Sequence, residues 1–524
     1  MKLKSLSLLS IAAIAVACSS EKKSAFVYPE TKQVDSSRVY FGDTVPDPYA
    51  WLEDDYSEET MAWVDQQNKL TRSYLDTLSQ LQKLKELMPK YWKYASYSSP
   101  KRTEAGLFYW YSDGVMNQPQ LMRKTRDGQE SVVLDPNSLS EDGTASINSW
   151  SVSEDGKYLA YGLSKSGSDW AEIFIKDINT GELLPDRIQW VKFSGISWDK
   201  EGFYYSAFPA PKDGNEYSAK NEFHRVFYHK LGATEDQLIY EDAQNAQRTF
   251  SAELDDDLKY LMVYGAESTS GNSISVRSAA KKTGEFTHLV LGFEHDWSYV
   301  GSYKKGLLFL TNYNAPNNQI VWIDPEKPQN QYWKTIVAER EQLLQGAVLA
   351  KDHLALNYLT DVVNSLELFE LGSAATEKLR LEGKGNVGGL QYDKTEGDIY
   401  FHYEDYINPG LVYKYNIISE QLDVYKKPEL PFNPENFVVE QVFYPSKDGT
   451  RIPLFIVHKK GLAKSPETPC FLYAYGGFNI AIQPHFKPDR MAFLEAGGIY
   501  AVANIRGGSE YGEAWHESGT KFNK

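Results

Sequence analysis

The feature that most constrains this chain is a local pattern that occurs seven times between about residues 100 and 400. Each copy is a polar turn followed by alternating aromatic and aliphatic residues, which predicts a β-strand preceded by a turn. The seven copies begin at Gly106, Gly156, Gly202, Leu258, Gly306, His353 and Gly397, with steps of 50, 46, 56, 48, 47 and 44 residues. A second strand pattern follows each copy and begins at Leu121, Phe174, Phe227, Val276, Val321, Leu368 and Val412.

A period of about 40 to 50 residues with several short strands is typical of a β-propeller, because each blade buries its faces against its neighbours. The spacing therefore predicts a seven-bladed β-propeller over residues 95–430. The alternative is a pair of stacked β-sandwiches with similarly spaced turns, since no copy carries a sharp Trp-Asp signature.

Composition excludes several function classes. The chain has 55 Lys and Arg residues against 71 Asp and Glu residues, and its net charge of −16 argues against nucleic acid or an anionic membrane surface as the main partner. Its two cysteines, Cys18 and Cys470, are too few for a disulfide framework or a cysteine-ligated zinc site. No histidine pair has the spacing of a helical metal site, so we expect no metal and no cofactor.

The first 18 residues have the pattern of an export signal. Lys2 and Lys4 precede an apolar run over residues 6–16, which is too short to span a bilayer. The small residues before Cys18 resemble a bacterial lipoprotein signal, which implies a lipid anchor on Cys18 and an exported, periplasmic, membrane-anchored protein. The alternative is an ordinary secretory signal cleaved near Ala17. Under either hypothesis, any membrane contact comes only through Cys18.

Two further segments flank the predicted propeller. Residues 19–94 contain a helical pattern whose apolar face is expected to pack on the C-terminal domain. Residues 431–524 begin with a hairpin pattern and continue with apolar runs at 470–475 and 499–505, separated by a helical pattern. These runs predict buried parallel strands of a β-α-β unit, and each leads into a glycine pair at the strand end where open α/β sheets bind ligands.

The C-terminal motifs carry a family resemblance. Tyr-Ala-Tyr-Gly-Gly-Phe-Asn at 473–479 and Asn-Ile-Arg-Gly-Gly-Ser-Glu-Tyr-Gly-Glu-Ala-Trp-His at 504–516 resemble the start of the catalytic domain of the prolyl oligopeptidase family. Segments at 28–31, 45–53, 67–68, 153–156 and 163–170 resemble earlier parts of the same family. Oligopeptidase B, which prefers basic residues, is the nearest competitor, but residues 510–516 are closer to the prolyl enzymes.

The resemblance implies a serine peptidase that cleaves short peptides after proline. It also implies a partial α/β-hydrolase domain, formed by the N-terminal and C-terminal segments and capped by a seven-bladed propeller that excludes folded proteins. The expected division is a signal peptide at 1–18, a helical segment at 19–94, the propeller at 95–430 and the start of the hydrolase domain at 431–524. Short proline-containing peptides are the expected partners, and we expect a monomer.

Two site residues follow from the resemblance. Tyr475 is expected to donate a hydrogen bond to the oxyanion of acyl transfer, and Phe478 is expected to line the proline pocket. The alternatives are that Tyr475 only packs under the propeller and that Phe478 is a core residue. Ser509 occupies a position where the family commonly has a glycine.

The catalytic serine, base and acid are expected to be missing from residues 1–524. The sequence contains no Gly-x-Ser-x-Gly elbow, and the nearest approach, at Ser509, has Tyr511 where the second glycine is needed. His485 and His516 lie near the predicted site without an identified acidic partner. The chain alone is therefore predicted to be inactive. The alternative function is a catalytically dead propeller lipoprotein that binds peptides or a protein partner.

Overall fold

The computed structural model describes residues 26–54, 57–211 and 220–524, and it divides after Lys85 into two units. Cys18 and the predicted signal peptide lie outside the described residues. In the first unit, a hairpin of Ser37–Tyr40 and Asp43–Pro46 precedes the helix Glu58–Leu75. The Ser57 side chain caps that helix by accepting a hydrogen bond from the Thr60 amide at 3.2 Å.

The predicted helical segment consists of two helices, because the second helix, Ser79–Trp92, starts after a short break. On the predicted apolar face, Met61, Val64 and Tyr74 are exposed. The boundaries predicted for the domains stay predictions. In the described part of the chain, no helix is long and apolar enough to cross a membrane.

Seven antiparallel blades follow in chain order, which confirms the predicted propeller, and the pairing of Val191 with Ala207 joins blades 2 and 3 into one eight-stranded sheet. Blades 1 to 7 span residues 96–134, 146–191, 197–240, 249–290, 297–337, 343–378 and 386–426. The first strands are Ser96–Tyr97 with Lys101–Thr103, Ser146–Val152, Ser197–Trp198, Thr249–Leu254, Trp297–Tyr303, Leu343–Ala350 and Asn386–Asp393. The second strands are Gly106–Ser112, Tyr158–Ser164, Gly202–Ala207, Tyr260–Ala266, Gly306–Thr311, His353–Thr360 and Asp398–Glu404.

The two patterns identified in the sequence are the second and third strands of each blade. The third strands are Gln120–Lys124, Ala171–Asp177, Arg225–Lys230, Ser273–Ser278, Gln319–Ile323, Val363–Glu370 and Leu411–Asn416. The fourth strands are Glu130–Leu134, Leu183–Val191, Gln237–Tyr240, Thr287–Val290, Lys334–Val337, Thr376–Lys378 and Gln421–Lys426. Short 3₁₀ helices lie at Ala50–Glu53, Pro136–Ser138, Asn330–Tyr332, Pro434–Asn436 and Lys521–Asn523.

The hydrophobic core of the propeller lies between the blades. Each seam from blades 1 and 2 through blades 6 and 7 holds eight to ten buried apolar residues of the two neighbours. The ring closes between blades 7 and 1, where Leu107 packs with Tyr400 and Val412. Stacked sandwiches would not give one core per neighbouring pair and a closing contact, so this alternative is wrong.

The ring closure also contains a buried ion pair. Arg102 Nε of blade 1 lies 2.7 Å from Asp393 Oδ2 of blade 7, and the Asp393 side chain is almost completely buried. Because each blade is built from one continuous stretch of chain, this closing seam depends on side chains rather than on a shared strand.

A four-stranded C-terminal sheet follows the propeller, in the order Phe437–Pro445, Arg451–Lys459, Ile499–Ala503 and Cys470–Ala474. The last two strands are parallel, with the helix Pro488–Glu495 between them in the chain, as the sequence predicts. A short helix, Glu513–Glu517, follows.

One prediction for this sheet is wrong. The run 470–475 was expected to be a buried strand, but Cys470–Ala474 lies at the sheet edge, and Phe471 and Leu472 are 57% and 65% exposed. An edge strand has only one neighbour, so its side chains stay accessible unless another layer covers them.

Candidate functional site

The two glycine turns that follow the parallel strands pack against each other. Gly476 and Gly507 have φ values of +62° and +106°, in the left-handed region that favours glycine. A β-carbon at Gly476 would lie 2.5 Å from the Arg506 carbonyl oxygen, and one at Gly507 would lie 2.2 Å from the Gly476 carbonyl oxygen. Both positions therefore require glycine, and the turns bring residues 475–487, here called the site loop, against residues 505–510.

Tyr475 and Phe478 lie at the beginning of the site loop. Their side chains are 42% and 67% exposed, so neither is a core residue. The Tyr475 hydroxyl has no hydrogen-bond partner among the described residues, which leaves its proton available for donation.

The backbone at Phe478 and Asn479 is left-handed, with φ values of +53° and +57°. Asn tolerates this conformation, but a bulky residue such as phenylalanine adopts it at a cost in free energy. The loop is held there because the Asn479 amide donates to the Gly507 carbonyl at 3.2 Å and the Ile480 amide donates to the Gly477 carbonyl at 3.1 Å. The aromatic ring of Phe478 is thus presented to solvent on a fixed backbone.

A buried carboxyl group supports the second half of the site loop. Glu510 is only 1% exposed, and its Oε1 accepts hydrogen bonds from the Ile482 amide at 3.0 Å and from Asn504 Nδ2 at 3.2 Å. Asn504 Nδ2 also donates to the Ile482 carbonyl at 2.6 Å. Burial raises the pKa of the Glu510 carboxyl. Glu510 and Asn504 lie in the 504–516 motif, but the sequence analysis assigned neither of them a role.

The propeller holds the same loop from blades 6 and 7. Gln483 exchanges amide hydrogen bonds with Gln345, and its Nε2 also donates to Asn364 Oδ1 at 2.6 Å. The Phe486 amide donates to Glu404 Oε2 at 3.2 Å, and burial raises the pKa of that carboxyl. Sequence reasoning missed these residues because isolated polar residues at blade ends carry no periodic signal.

A hairpin turn of blade 6 makes a second set of contacts with the C-terminal segment. Asp361 Oδ1 accepts hydrogen bonds from the Tyr511 hydroxyl at 2.7 Å and from Arg451 Nη1 at 3.2 Å. The Asp361 carbonyl accepts a hydrogen bond from Gln441 Nε2. Tyr511 is therefore hydrogen-bonded to the propeller, and burial together with the hydrogen bond to Asp361 raises the pKa of its hydroxyl.

The two histidines near the site have structural contacts. His485 Nδ1 donates to the Gln483 carbonyl at 3.0 Å, its Nε2 accepts from Arg490 Nη2 at 2.9 Å, and burial lowers its pKa. His516 Nδ1 donates to the Gly507 carbonyl at 2.8 Å. Neither ring is hydrogen-bonded to a carboxylate in the described part of the chain, so neither has the orienting partner that a general base in a triad requires.

Ser509 lacks the surroundings of a nucleophile. Its carbonyl accepts from the Gly512 amide at 3.1 Å, and no histidine or carboxylate is hydrogen-bonded to its hydroxyl in the described ranges. An activated serine needs a base within hydrogen-bond reach. Across the described residues, no group of three or more His, Cys, Asp or Glu side chains is arranged to hold a metal ion.

The site loop therefore carries the Tyr475 phenol, which has no hydrogen-bond partner among the described residues, and the exposed ring of Phe478. A phenol at this place can stabilise developing negative charge, and the ring offers a flat apolar surface.

Comparisons with known proteins agree along the whole chain. Residues 29–428 match the family model described as prolyl oligopeptidase, N-terminal beta-propeller domain, and residues 484–524 match that of the prolyl oligopeptidase family. The prolyl endopeptidase of Elizabethkingia meningoseptica is 39% identical over 527 residues, covering 100% of this chain and 74% of that protein.

Solved structures give the same result. A structure from a study of two prolyl endopeptidases is 33% identical, with a TM-score of 0.87 over 94% of this chain and 73% of that one. Prolyl oligopeptidase B from Galerina marginata, bound to a 25-residue macrocyclization substrate, is 27% identical, with a TM-score of 0.88 over 95% of this chain and 74% of that one.

Proposed function

The chain belongs to the prolyl oligopeptidase family of serine peptidases, and on that premise we propose that it acts on short peptides and cleaves them after proline. The observation that carries the proposal is the pairing of Tyr475 and Phe478 on one loop at the carboxyl end of the parallel strands. Open α/β sheets bind their ligands at this end. Support for a peptide substrate comes from the solved relative that holds one.

Tyr475 has the chemistry for the oxyanion role. When a nucleophile attacks a peptide carbonyl, negative charge develops on the oxygen, and a donor already in place stabilises it without reorganisation. The phenol of Tyr475 donates to no other group in the described part of the chain, so it is free to act on substrate.

Phe478 has the chemistry for proline recognition. The pyrrolidine ring of proline is compact, apolar and without an amide proton, so an aromatic face binds it without leaving a buried donor unpaired. The left-handed backbone at Phe478 keeps its ring exposed, and Gly507 and Gly477 hold that backbone in place. We propose that the propeller restricts this surface to short peptides.

The nucleophile is proposed to be absent from these 524 residues. They contain no Gly-x-Ser-x-Gly elbow, and Ser509 has neither the second glycine nor a base. Binding and charge stabilisation are thus assigned to the described residues, and bond breaking needs a serine, a base and an acid that they do not supply.

Specificity is the direct test of this proposal. In a form of the protein that carries the catalytic serine, base and acid, a Gly-Pro reporter peptide is expected to be cleaved at least about a hundredfold faster, in kcat/KM, than a matched peptide with arginine in place of proline. Phe478→Ala is expected to reduce the ratio of the two kcat/KM values, mainly by raising KM for the proline peptide. Faster cleavage after arginine would assign the chain to an oligopeptidase B activity instead.

We also propose that the protein is exported and anchored through a lipid on Cys18. The support is the sequence of residues 1–18 alone. Expressed in a bacterial host, the protein should incorporate a fatty-acid analogue and partition into detergent, and Cys18→Ala should abolish both. Unchanged partitioning of Cys18→Ala would exclude the anchor and favour an ordinary secretory signal.

A further inference from the structure

A closed network of four side-chain amides links blade 6 of the propeller to the site loop. Gln345 Nε2 donates to Gln483 Oε1 at 2.8 Å, and Gln483 Nε2 donates back to Gln345 Oε1 at 3.1 Å. Gln483 Nε2 also donates to Asn364 Oδ1 at 2.6 Å. The site loop thus contributes one residue to a network whose other members all belong to the propeller.

The propeller side of the network is itself fixed. Asn364 Nδ2 donates to Gln345 Oε1 and to Asn357 Oδ1, both at 2.9 Å. Asn357 Nδ2 donates to the Val387 carbonyl of blade 7 at 3.0 Å, and the Val387 amide donates to Asn364 Oδ1 at 3.0 Å. Asn357 and Asn364 are both more than nine-tenths buried. Residues of blades 6 and 7 therefore fix the Asn364 side chain, which accepts the hydrogen bond from Gln483.

The site loop is held by its neighbours rather than by its own secondary structure. Residues 475–487 contain no helix or strand, and their first half is held by backbone bonds to the glycine turns. The second half is held by Glu510 at Ile482, by Arg490 at the His485 carbonyl and by the stacking of Phe486 on Phe432. Gln483 is the residue of the loop whose side chain is hydrogen-bonded to blade 6.

We propose that Gln345 and Asn364 are positioning residues for the site, acting through Gln483 to fix the loop that carries Tyr475 and Phe478. The propeller then has a second role besides covering the site, because the geometry of the binding loop depends on contact with blade 6. If the propeller moves away from the sheet, the loop loses these hydrogen bonds and the oxyanion donor loses its fixed place. The inference rests on the proposed function for the effect on activity, but not for the effect on the loop.

The chain offers a matched pair of substitutions. Gln483→Met keeps the length of the side chain and removes every amide hydrogen bond to blade 6. Gln441→Met removes another glutamine hydrogen bond between blade 6 and the C-terminal sheet, to the Asp361 carbonyl, and does not touch the site loop. A general loosening of the propeller affects both variants, whereas positioning of the loop affects only the first.

Hydrogen exchange on residues 1–524 tests the positioning directly. Gln483→Met is expected to speed exchange of the amides in 476–486 by about tenfold or more, since it removes the three hydrogen bonds that hold the loop to blade 6. Gln441→Met is expected to leave these amides at the wild-type rate. Wild-type exchange in Gln483→Met, or equal acceleration in both variants, would overturn the proposal.

Activity provides the second readout, in a form that carries the catalytic serine. Gln483→Met is expected to lower kcat by about tenfold, because a misplaced donor acts in the transition state, and to raise KM as well, because Phe478 lies on the same loop. Adding Gln345→Met to Gln483→Met should cost little more, since the two side chains share one network. Additive losses, or a rise in KM alone, would contradict positioning through this network. If exchange changes and Tyr475→Phe keeps full activity, the positioning stands and the proposed role of Tyr475 fails.

Discussion

At the scale of single residues, Tyr475 and Phe478 are the two groups to which the proposed function assigns contact with substrate. The Tyr475 hydroxyl has no hydrogen-bond partner among the described residues, and the Asn479 and Ile480 amides of the turn beside it are bonded. Phe478 has an exposed ring on a left-handed backbone, which costs free energy for a bulky residue.

The first prediction concerns Tyr475. In a form that carries the catalytic serine, Tyr475→Phe removes one donor from the oxyanion and should cost about 3 kcal/mol, or on the order of a hundredfold in kcat. KM for a proline-containing peptide should change much less. Wild-type turnover of this variant would show that Tyr475 only packs.

The second prediction concerns a histidine remote from the site. His224 Nε2 donates to the Lys192 carbonyl at 3.0 Å and its Nδ1 accepts from the Phe250 amide at 2.9 Å, so the ring must be neutral. Burial lowers the pKa of His224 to about 4, while the hydrogen bond to Lys192 opposes the shift. The folded state thus resists protonation that the unfolded state accepts near its ordinary pKa of about 6.5.

The sign of the pH effect follows from this difference. The stability contributed by neutral His224 is present above about pH 6.5 and is lost as the pH falls toward 4, by about 2 to 3 kcal/mol. His224→Gln can keep a donor and an acceptor but cannot titrate. The denaturant midpoint should therefore fall more between pH 7.0 and pH 4.5 for the wild type than for His224→Gln. Equal falls in the two proteins would contradict the low pKa of His224.

At the scale of elements, the seam between blades 7 and 1 differs from the other six. It holds three buried apolar residues, and the Arg102–Asp393 pair supplements them. Burial of an ion pair need not add net stability, but removal of one partner leaves the other charge uncompensated. Substitution of Arg102 should therefore destabilise this seam strongly.

The third prediction tests this sensitivity. Arg102→Met leaves Asp393 buried without its cation and should lower the free energy of unfolding by about 3 kcal/mol. Arg126→Met makes the same change at an exposed pair of blade 1, where Arg126 Nη2 lies 3.7 Å from Glu104 Oε2, and should cost less than about 1 kcal/mol. If urea unfolding gives similar losses in the free energy of unfolding for the two variants, the Arg102–Asp393 pair contributes no more to stability than an exposed pair.

Elements were easier to predict from the sequence than the contacts between them. The second and third strands of all seven blades were predictable because alternation and turn residues are local, and the β-α-β unit was predictable for the same reason. The first and fourth strands of the blades were not identified in the sequence. The exposure of Cys470–Ala474 was not, because an apolar run does not show whether a strand has one neighbour or two. Gln345, Asn364 and Gln483 are distant in sequence and meet only through the fold, so no spacing rule finds them.

At the scale of the whole molecule, the C-terminal sheet contacts the propeller through blades 5, 6 and 7. Asn312 of blade 5 donates to Glu513 Oε2 at 3.5 Å, Asp361 of blade 6 accepts from Tyr511, and Glu404 of blade 7 accepts from the Phe486 amide. Tyr511, Glu513 and the site loop are thus hydrogen-bonded to neighbouring blades of one ring. The proposed binding surface therefore depends on both the propeller and the C-terminal segment.

The last prediction concerns bond breaking by residues 1–524. Peptide hydrolysis by a serine peptidase needs an activated serine, a base and an orienting acid, and a donor such as Tyr475 cannot replace them. The purified chain should therefore show no measurable cleavage of a Gly-Pro reporter and no labelling by a fluorophosphonate probe. Ser509→Ala is the matched control, because Ser509 is the serine whose sequence context comes nearest to a Gly-x-Ser-x-Gly elbow. Stoichiometric labelling that Ser509→Ala abolishes would make Ser509 a nucleophile and would require a base that its surroundings do not show.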